Sequence, residues 1–215
     1  MTGNPRPLGS PILGGLDAPN FLTLTGLALA VLSVMCAVRE EFHAALVCLI
    51  GAGVADLFDG FLARRSVRGE VPAAVGKHLD SLCDVCSFGF APAILAYCYG
   101  LREPWQVLVL VAYVAAGALR LAYFDAVGLS AQGDRQAFTG MPITYGALFV
   151  PLAFLGTFRE EPVALIPELA LVYALLAVAM VSGAKVPKPT GVWYVIFGLL
   201  AVVMAGVYGW AAWGR

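Results

Sequence analysis

Apolar residues run along this chain in long blocks rather than in the short alternations that mark half-buried strands, and each block is punctuated by a few charged, Gly or Pro residues. Blocks of about 20 apolar residues match the ~30 Å hydrocarbon core of a bilayer when wound into a helix. Seven such helices are predicted, at residues 21–38, 42–63, 78–99, 105–126, 141–158, 163–182 and 192–213. The pattern therefore predicts an all-α fold, a polytopic transmembrane helix bundle. Short connections such as Arg39-Glu40-Glu41 and Leu101-Arg102-Glu103-Pro104 leave no chain to reach a distant position, so consecutive helices should lie antiparallel. Residues 1–19, rich in Gly and Pro, lack a basic stretch followed by an apolar core and are expected to form a flexible tail with no cleavable signal. No internal repeat is evident.

Composition sharpens this picture. Of 215 residues, 60% are hydrophobic and only 13% charged, which leaves little for a water-soluble domain. A net charge of -1 supplies no basic surface for tracking a phosphate backbone, so no nucleic-acid partner is expected. The cations are unevenly placed. Arg6, Arg64, Arg65, Arg68, Lys77, Arg135, Lys185 and Lys188 fall at one set of helix ends, against Arg39, Arg102, Arg159 and Arg215 at the other, which predicts a cytoplasmic amino terminus. Five cysteines, Cys36, Cys48, Cys83, Cys86 and Cys98, lie within apolar stretches and read as small core residues.

Four aspartates break the apolar rule. Asp56 and Asp59 close the second block and Asp80 and Asp84 open the third, so each pair occupies one side of a helix with 3.6 residues per turn. The link at 64–76 joins these ends on the same side of the membrane, so both pairs should converge into one cluster. Like charges so close to hydrocarbon are costly unless a cation sits among them. An all-oxygen ligand set without His or Cys suits Mg²⁺ or Mn²⁺ better than zinc. Intramembrane carboxylates also mark ion pathways, and a cation-coupled transporter is the alternative of a different class; its sites sit near the midplane between broken, repeated helices.

The residues around the aspartates carry a further pattern, Asp56-x2-Asp59-Gly60-x2-Ala63-Arg64, a spacer of eleven residues, then Gly76-x3-Asp80-x3-Asp84. This resembles the signature of the CDP-alcohol phosphatidyltransferase family, with all eight fixed positions present and a spacer somewhat longer than the commonest form. The resemblance covers roughly residues 20–182, read as the membrane domain. Residues 183–215 then form a linker and one helix beyond the family's six-helix core. The resemblance implies transfer of a phosphatidyl group from a CDP-linked lipid to an alcohol, with release of CMP. Two divalent cations would be held by Asp56, Asp59, Asp80 and Asp84, and Asp84 would be the general base. Gly60, Ala63 and Gly76 would let the nucleotide lie close, and Arg64 would donate to phosphate. Membrane-lipid partners and a homodimer are also implied, and the cation placement read above puts the active site on the cytoplasmic side. Asn20 and Thr23 resemble an Asn-x2-Thr element near the nucleotide site of relatives, although a helix cap explains them as well.

The acceptor alcohol rests on other residues. Ser87-Phe88-Gly89-Phe90-Ala91-Pro92, the run around Arg120, and Phe138-Thr139-Gly140-Met141-Pro142 resemble stretches of the family's serine-accepting members, which would make CDP-diacylglycerol and L-serine the substrates. Asp125 stands where that group often carries Asn. Arg120 lies about two turns inside the fourth predicted helix, a depth at which a guanidinium needs a polar cavity or partner. It is expected to bind an anion such as the carboxylate of serine, with Ser87 as a second acceptor contact; pairing with Asp125 is the plainer alternative. Archaetidylserine, phosphatidylglycerol phosphate or phosphatidylinositol phosphate synthesis are the alternatives within the family. Pro92 is expected to kink the third helix.

Overall fold

The computed structural model describes residues 15–128, 130–132, 135–158, 162–187 and 192–214. Residues 1–14 of the expected tail lie outside it, as do Arg6, Arg159, Lys188 and Arg215. The first helix, α1 (Ala18–Val38), starts where the Asp17 side chain accepts the Asn20 backbone N–H at 3.1 Å, with Pro19 in the first turn where no N–H is needed. It ends at a tight turn in which Glu40 takes φ 63°, and α2 (Phe42–Arg65) returns antiparallel to it. Their contact is built from small residues. Gly26, Ala30, Ser33 and Ala37 form a buried stripe on α1, and a Cβ at Gly26 would stand 3.3 Å from Ala55 Cβ on α2. Ser33 Oγ donates to the Ala45 carbonyl at 2.7 Å, so backbones rather than bulky side chains meet here.

The third rod differs from the expected start at residue 78. Helix α3 (Glu70–Asp84) begins eight residues earlier, because extended Gly69 caps it and Pro72 falls in the first turn, where its missing N–H costs nothing. The link from α2 shrinks to residues 66–69. The rod continues through a π-helical stretch, Val85–Phe90, into α4 (Ala91–Tyr99), giving one helix of 30 residues. Pro92 thus widens the helix just before it instead of breaking it. The carbonyl four residues before Pro92, that of Phe88, accepts the Tyr113 hydroxyl at 2.5 Å, and the Pro92 carbonyl accepts the Tyr173 hydroxyl at 2.6 Å. Both tyrosines are fully buried and stack edge-on, 5.0 Å between ring centres.

Helix α5 (Pro104–Val127) opens with a capping box between Glu103 and Gln106 and packs on α7 (Pro162–Val181). Between them lie a 3₁₀ turn (Ile143–Tyr145), α6 (Gly146–Phe154) and a further 3₁₀ turn (Leu155–Phe158), so the fifth predicted span is short and irregular. The last helix, α8 (Val192–Trp213), lies against α2. Six of the rods are long and apolar enough to span a membrane, and the chain is a multi-pass membrane protein.

The helical pattern did not foretell a small antiparallel sheet, β1 (Ser130–Gln132), β2 (Arg135–Thr139) and β3 (Lys185–Pro187), in the order β1-β2-β3. It ties the α5–α6 connection to residues read as a plain linker, with Phe138 opposite Val186. Gly140 follows with φ 73°, and a Cβ there would run into the Met180 carbonyl. Gly140→Ala should therefore cost about 1–3 kcal/mol, seen as an earlier thermal transition of the detergent-solubilised protein; an unchanged transition would show that this junction tolerates a side chain.

Candidate active site

α2 and the α3 rod cross so that three carboxylates meet. One ligand oxygen each from Asp56, Asp80 and Asp84 lies within 4.8 Å of the others. Asp84 is buried at 8% exposure, Asp56 half-buried and Asp80 exposed. The expected cluster of four resolves into three plus one, because Asp59, only 4% exposed, accepts the Thr23 hydroxyl at 2.5 Å and is held toward α1. Three residues advance a helix by about 300°, leaving about 60° between the Asp56 and Asp59 directions. All four still line one cavity of about 740 Å³. Three acidic oxygens at this spacing, with hard donors only, fit a divalent cation.

Arg120 enters the same cavity from α5. It is 6% exposed, and its Nε and Nη2 have no hydrogen-bond partner among the described residues. The plainer alternative, a pair with Asp125, is not formed; Asp125 accepts the Ser81 hydroxyl at 2.7 Å. Two adjoining rings, with centres 5.6 Å apart, lie against the guanidinium instead. Its carbon stands 5.2 Å from the centres of both Phe124, one turn along α5, and Phe138, on β2. Such contacts partly offset desolvation of a cation but leave its N–H donors unspent.

The remaining sequence-derived residues separate into two groups. Gly60 and Arg64 line the cavity near Asp59, and Ala63 lies half-buried beside them on α2. Gly76 is buried for a different reason, since a Cβ there would collide with Asn20 Oδ1 and the Arg68 guanidinium. Asn20 is itself a structural hub. Its Nδ2 donates to the Gly15 and Pro72 carbonyls at 2.8 and 3.0 Å, and its Oδ1 accepts from Arg68 at 2.6 Å. The helix cap is Asp17, which also pairs with Arg68 at 2.7 Å. Slight burial works against the Asp17 carboxylate, but Arg68 and the Asn20 N–H outweigh it and hold the group below its usual range. Arg68, read from sequence only as a loop cation, thus joins the starts of α1 and α3. Ser87 sits on the π stretch, buried behind Asp84 in a small recess shared with Thr23, apart from the Arg120 side. The five cysteines are free.

Comparison with known proteins agrees with this geometry. The sequence profile described as CDP-alcohol phosphatidyltransferase matches residues 16–181. The chain is 31% identical over 174 residues to the archaetidylserine synthase of Methanothermobacter thermautotrophicus, covering 80% of this chain and 70% of that one. It is 28% identical over 171 residues to the CDP-diacylglycerol--serine O-phosphatidyltransferase of Bacillus subtilis, covering 79% and 89%. The Saccharomyces cerevisiae enzyme of the same name is 32% identical over 153 residues, 62% of this chain and about half, 54%, of the yeast protein. A match over most of the chain, on the helices that bring Asp56, Asp80 and Asp84 together, means that this protein belongs to the CDP-alcohol phosphatidyltransferase family.

Proposed function

We propose that this protein makes phosphatidylserine and CMP from CDP-diacylglycerol and L-serine, at a site opening to the cytoplasm. The observation that carries the choice of serine is Arg120, a buried guanidinium with unspent donors in the cavity that holds the carboxylates. Serine brings a carboxylate, which accepts two parallel N–H bonds from a guanidinium, and a hydroxyl to react. A phosphomonoester acceptor calls for several cations, whereas Arg120 and Arg64 are the arginines lining this cavity among the described residues.

In this reading Arg120 orients serine while Asp84 takes the proton from its hydroxyl. The serine oxygen bonds to the phosphorus carrying the diacylglycerol, and the bond from that phosphorus to the CMP oxygen breaks, CMP leaving with the electron pair. Asp56, Asp80 and Asp84, with Asp59 adjoining, would hold two divalent cations, Mg²⁺ or Mn²⁺, and bound there these would supply positive charge to offset that of the pyrophosphate. Gly60 leaves the wall beside Asp59 open for the nucleotide, and Arg64 donates to phosphate. Asn20, Thr23 and Gly76 act one step back: Thr23 aims Asp59, and the Asn20, Arg68 and Gly76 contacts fix α1 against α3. The resemblance extends the proposal to a homodimer, tested by the mass of the detergent-solubilised protein.

The direct test is CMP release by purified protein with Mn²⁺ and CDP-dioleoylglycerol across a panel of acceptors. Release with L-serine alone is expected; equal release with glycerol 3-phosphate or inositol phosphate overturns the acceptor. Because an archaetidylserine synthase is among the relatives, an ether-linked CDP-archaeol arm belongs in the panel, and preference for it would make the product archaetidylserine. Arg120→Gln should raise KM for serine about 10- to 100-fold, the loss of a charge-assisted pair, with a smaller change in KM for the CDP-lipid.

A further inference from the structure

The cavity does not end at the aspartates. Its ionisable lining, Asp56, Asp59, Asp80, Asp84, Arg120 and Asp125 among them, is gathered at one end. From there it continues along α2 past Val54 and Gly53 to Ile50, six residues beyond Asp56 and so about 9 Å further along the helix. The opposite wall of this arm is α8, whose contributions, including Val195, Leu199 and Val202, carry no charge. A single cavity, charged at one end and apolar at the other, fits an amphiphile with a polar head and a hydrocarbon tail. The apolar arm runs along two membrane-spanning helices, so a tail placed in it stays at the depth it occupies in a bilayer.

α8 lies wholly beyond residues 16–181, the part of the chain that matches the family. The wall it supplies is therefore an addition to the shared core. At Gly198, half-buried on that wall, an added Cβ would meet nothing within 4 Å. Its neighbours one turn away on that wall are Val195, Ala201 and Val202, so Gly198 is a notch where the wall carries no side chain.

We infer that α8 forms the outer wall of a channel for one hydrocarbon chain of the lipid donor, and that Gly198 sets the room available to that chain. This rests on the donor being a CDP-lipid, as proposed above. The notch makes Gly198 a specificity-determining position, acting on the donor tail and not on the reacting atoms.

Two readouts test it. In mixed micelles, Gly198→Trp should raise KM for CDP-dioleoylglycerol about tenfold or more, leave KM for CDP-dioctanoylglycerol within about twofold, and change kcat little for either. Val203→Leu, at an exposed position of α8 outside the cavity lining, should match wild type with both donors. An equal effect of Gly198→Trp on the two donors, or none, overturns the inference. The second readout needs no turnover. A CDP-lipid with a diazirine near the end of one acyl chain should label α8 around residues 195–202 on irradiation, and labelling confined to other helices overturns it. Absence of CMP release from wild type with every donor and acceptor would instead strike at the proposed reaction, leaving the labelling result to decide the channel.

Discussion

Asp84→Asn is expected to lower serine-dependent CMP release by about 10²–10⁴-fold while the protein still folds and still binds CDP-lipid. Asn has the same size and keeps one carbonyl oxygen, but its amide cannot take a proton from an incoming hydroxyl. Asp84 suits that role by position: it closes the motif, lies deepest of the three grouped carboxylates, and shares its cavity with Arg120, the group proposed to hold the acceptor. The comparison that matters is between turnover and binding. If CMP release collapses while the Kd for CDP-dioleoylglycerol moves by a few fold, the base assignment stands. Near-normal turnover in the variant removes it, and equal loss of lipid binding would make Asp84 a binding residue alone.

Removal of divalent cations is expected to abolish CMP release, with Mn²⁺ or Mg²⁺ restoring it in wild type but not in Asp56→Ala. The same variant should behave in the opposite sense toward stability. Without a cation, Asp56, Asp80 and Asp84 crowd like charge into one small volume next to hydrocarbon, a net cost to the fold. Deleting Asp56 relieves part of that cost, so chelated Asp56→Ala should melt no earlier than chelated wild type. Wild type should gain on adding Mn²⁺, by about 2.7 kcal/mol at a hundredfold excess over Kd, and the variant should gain little. A variant that melts earlier in chelator and is stabilised as much as wild type by Mn²⁺ would mean that the three groups are held by protein contacts instead.

The helical framework was readable because a bilayer demands long apolar blocks, and the carboxylates were readable because four aspartates at the ends of two such blocks break that pattern at a cost. Spacing alone placed Asp56, Asp80 and Asp84 on facing sides of α2 and α3. It did not place Asp59, whose direction depends on Thr23, a partner 36 residues away in sequence. The same kind of non-local contact hid the role of Arg68 and recast Asn20 and Gly76 as parts of an inter-helix joint. The early start of α3 was not legible because Glu70 and Lys77-His78 interrupt the apolar block there, although Gly69 and Pro72 mark a helix start. The sheet escaped because its strands are of three to five residues and β3 joins the β1–β2 hairpin across 46 to 50 residues of sequence, as with Thr139 and Lys185 or Ala137 and Pro187. The approach of α8 to the cavity had no sequence signal at all, since an apolar helix facing lipid and one facing a lipid tail have the same composition.

The central claim is that α2 and α3 present Asp56, Asp80 and Asp84 to a common cation. Electron paramagnetic resonance of Mn²⁺ titrated into the purified protein tests it without requiring turnover. Saturable immobilised Mn²⁺ is predicted in wild type and in Arg120→Gln, with binding weakened at least tenfold in Asp56→Ala and in Asp80→Ala. Saturable binding that survives in both aspartate variants, or none in a wild-type protein that releases CMP, would contradict it.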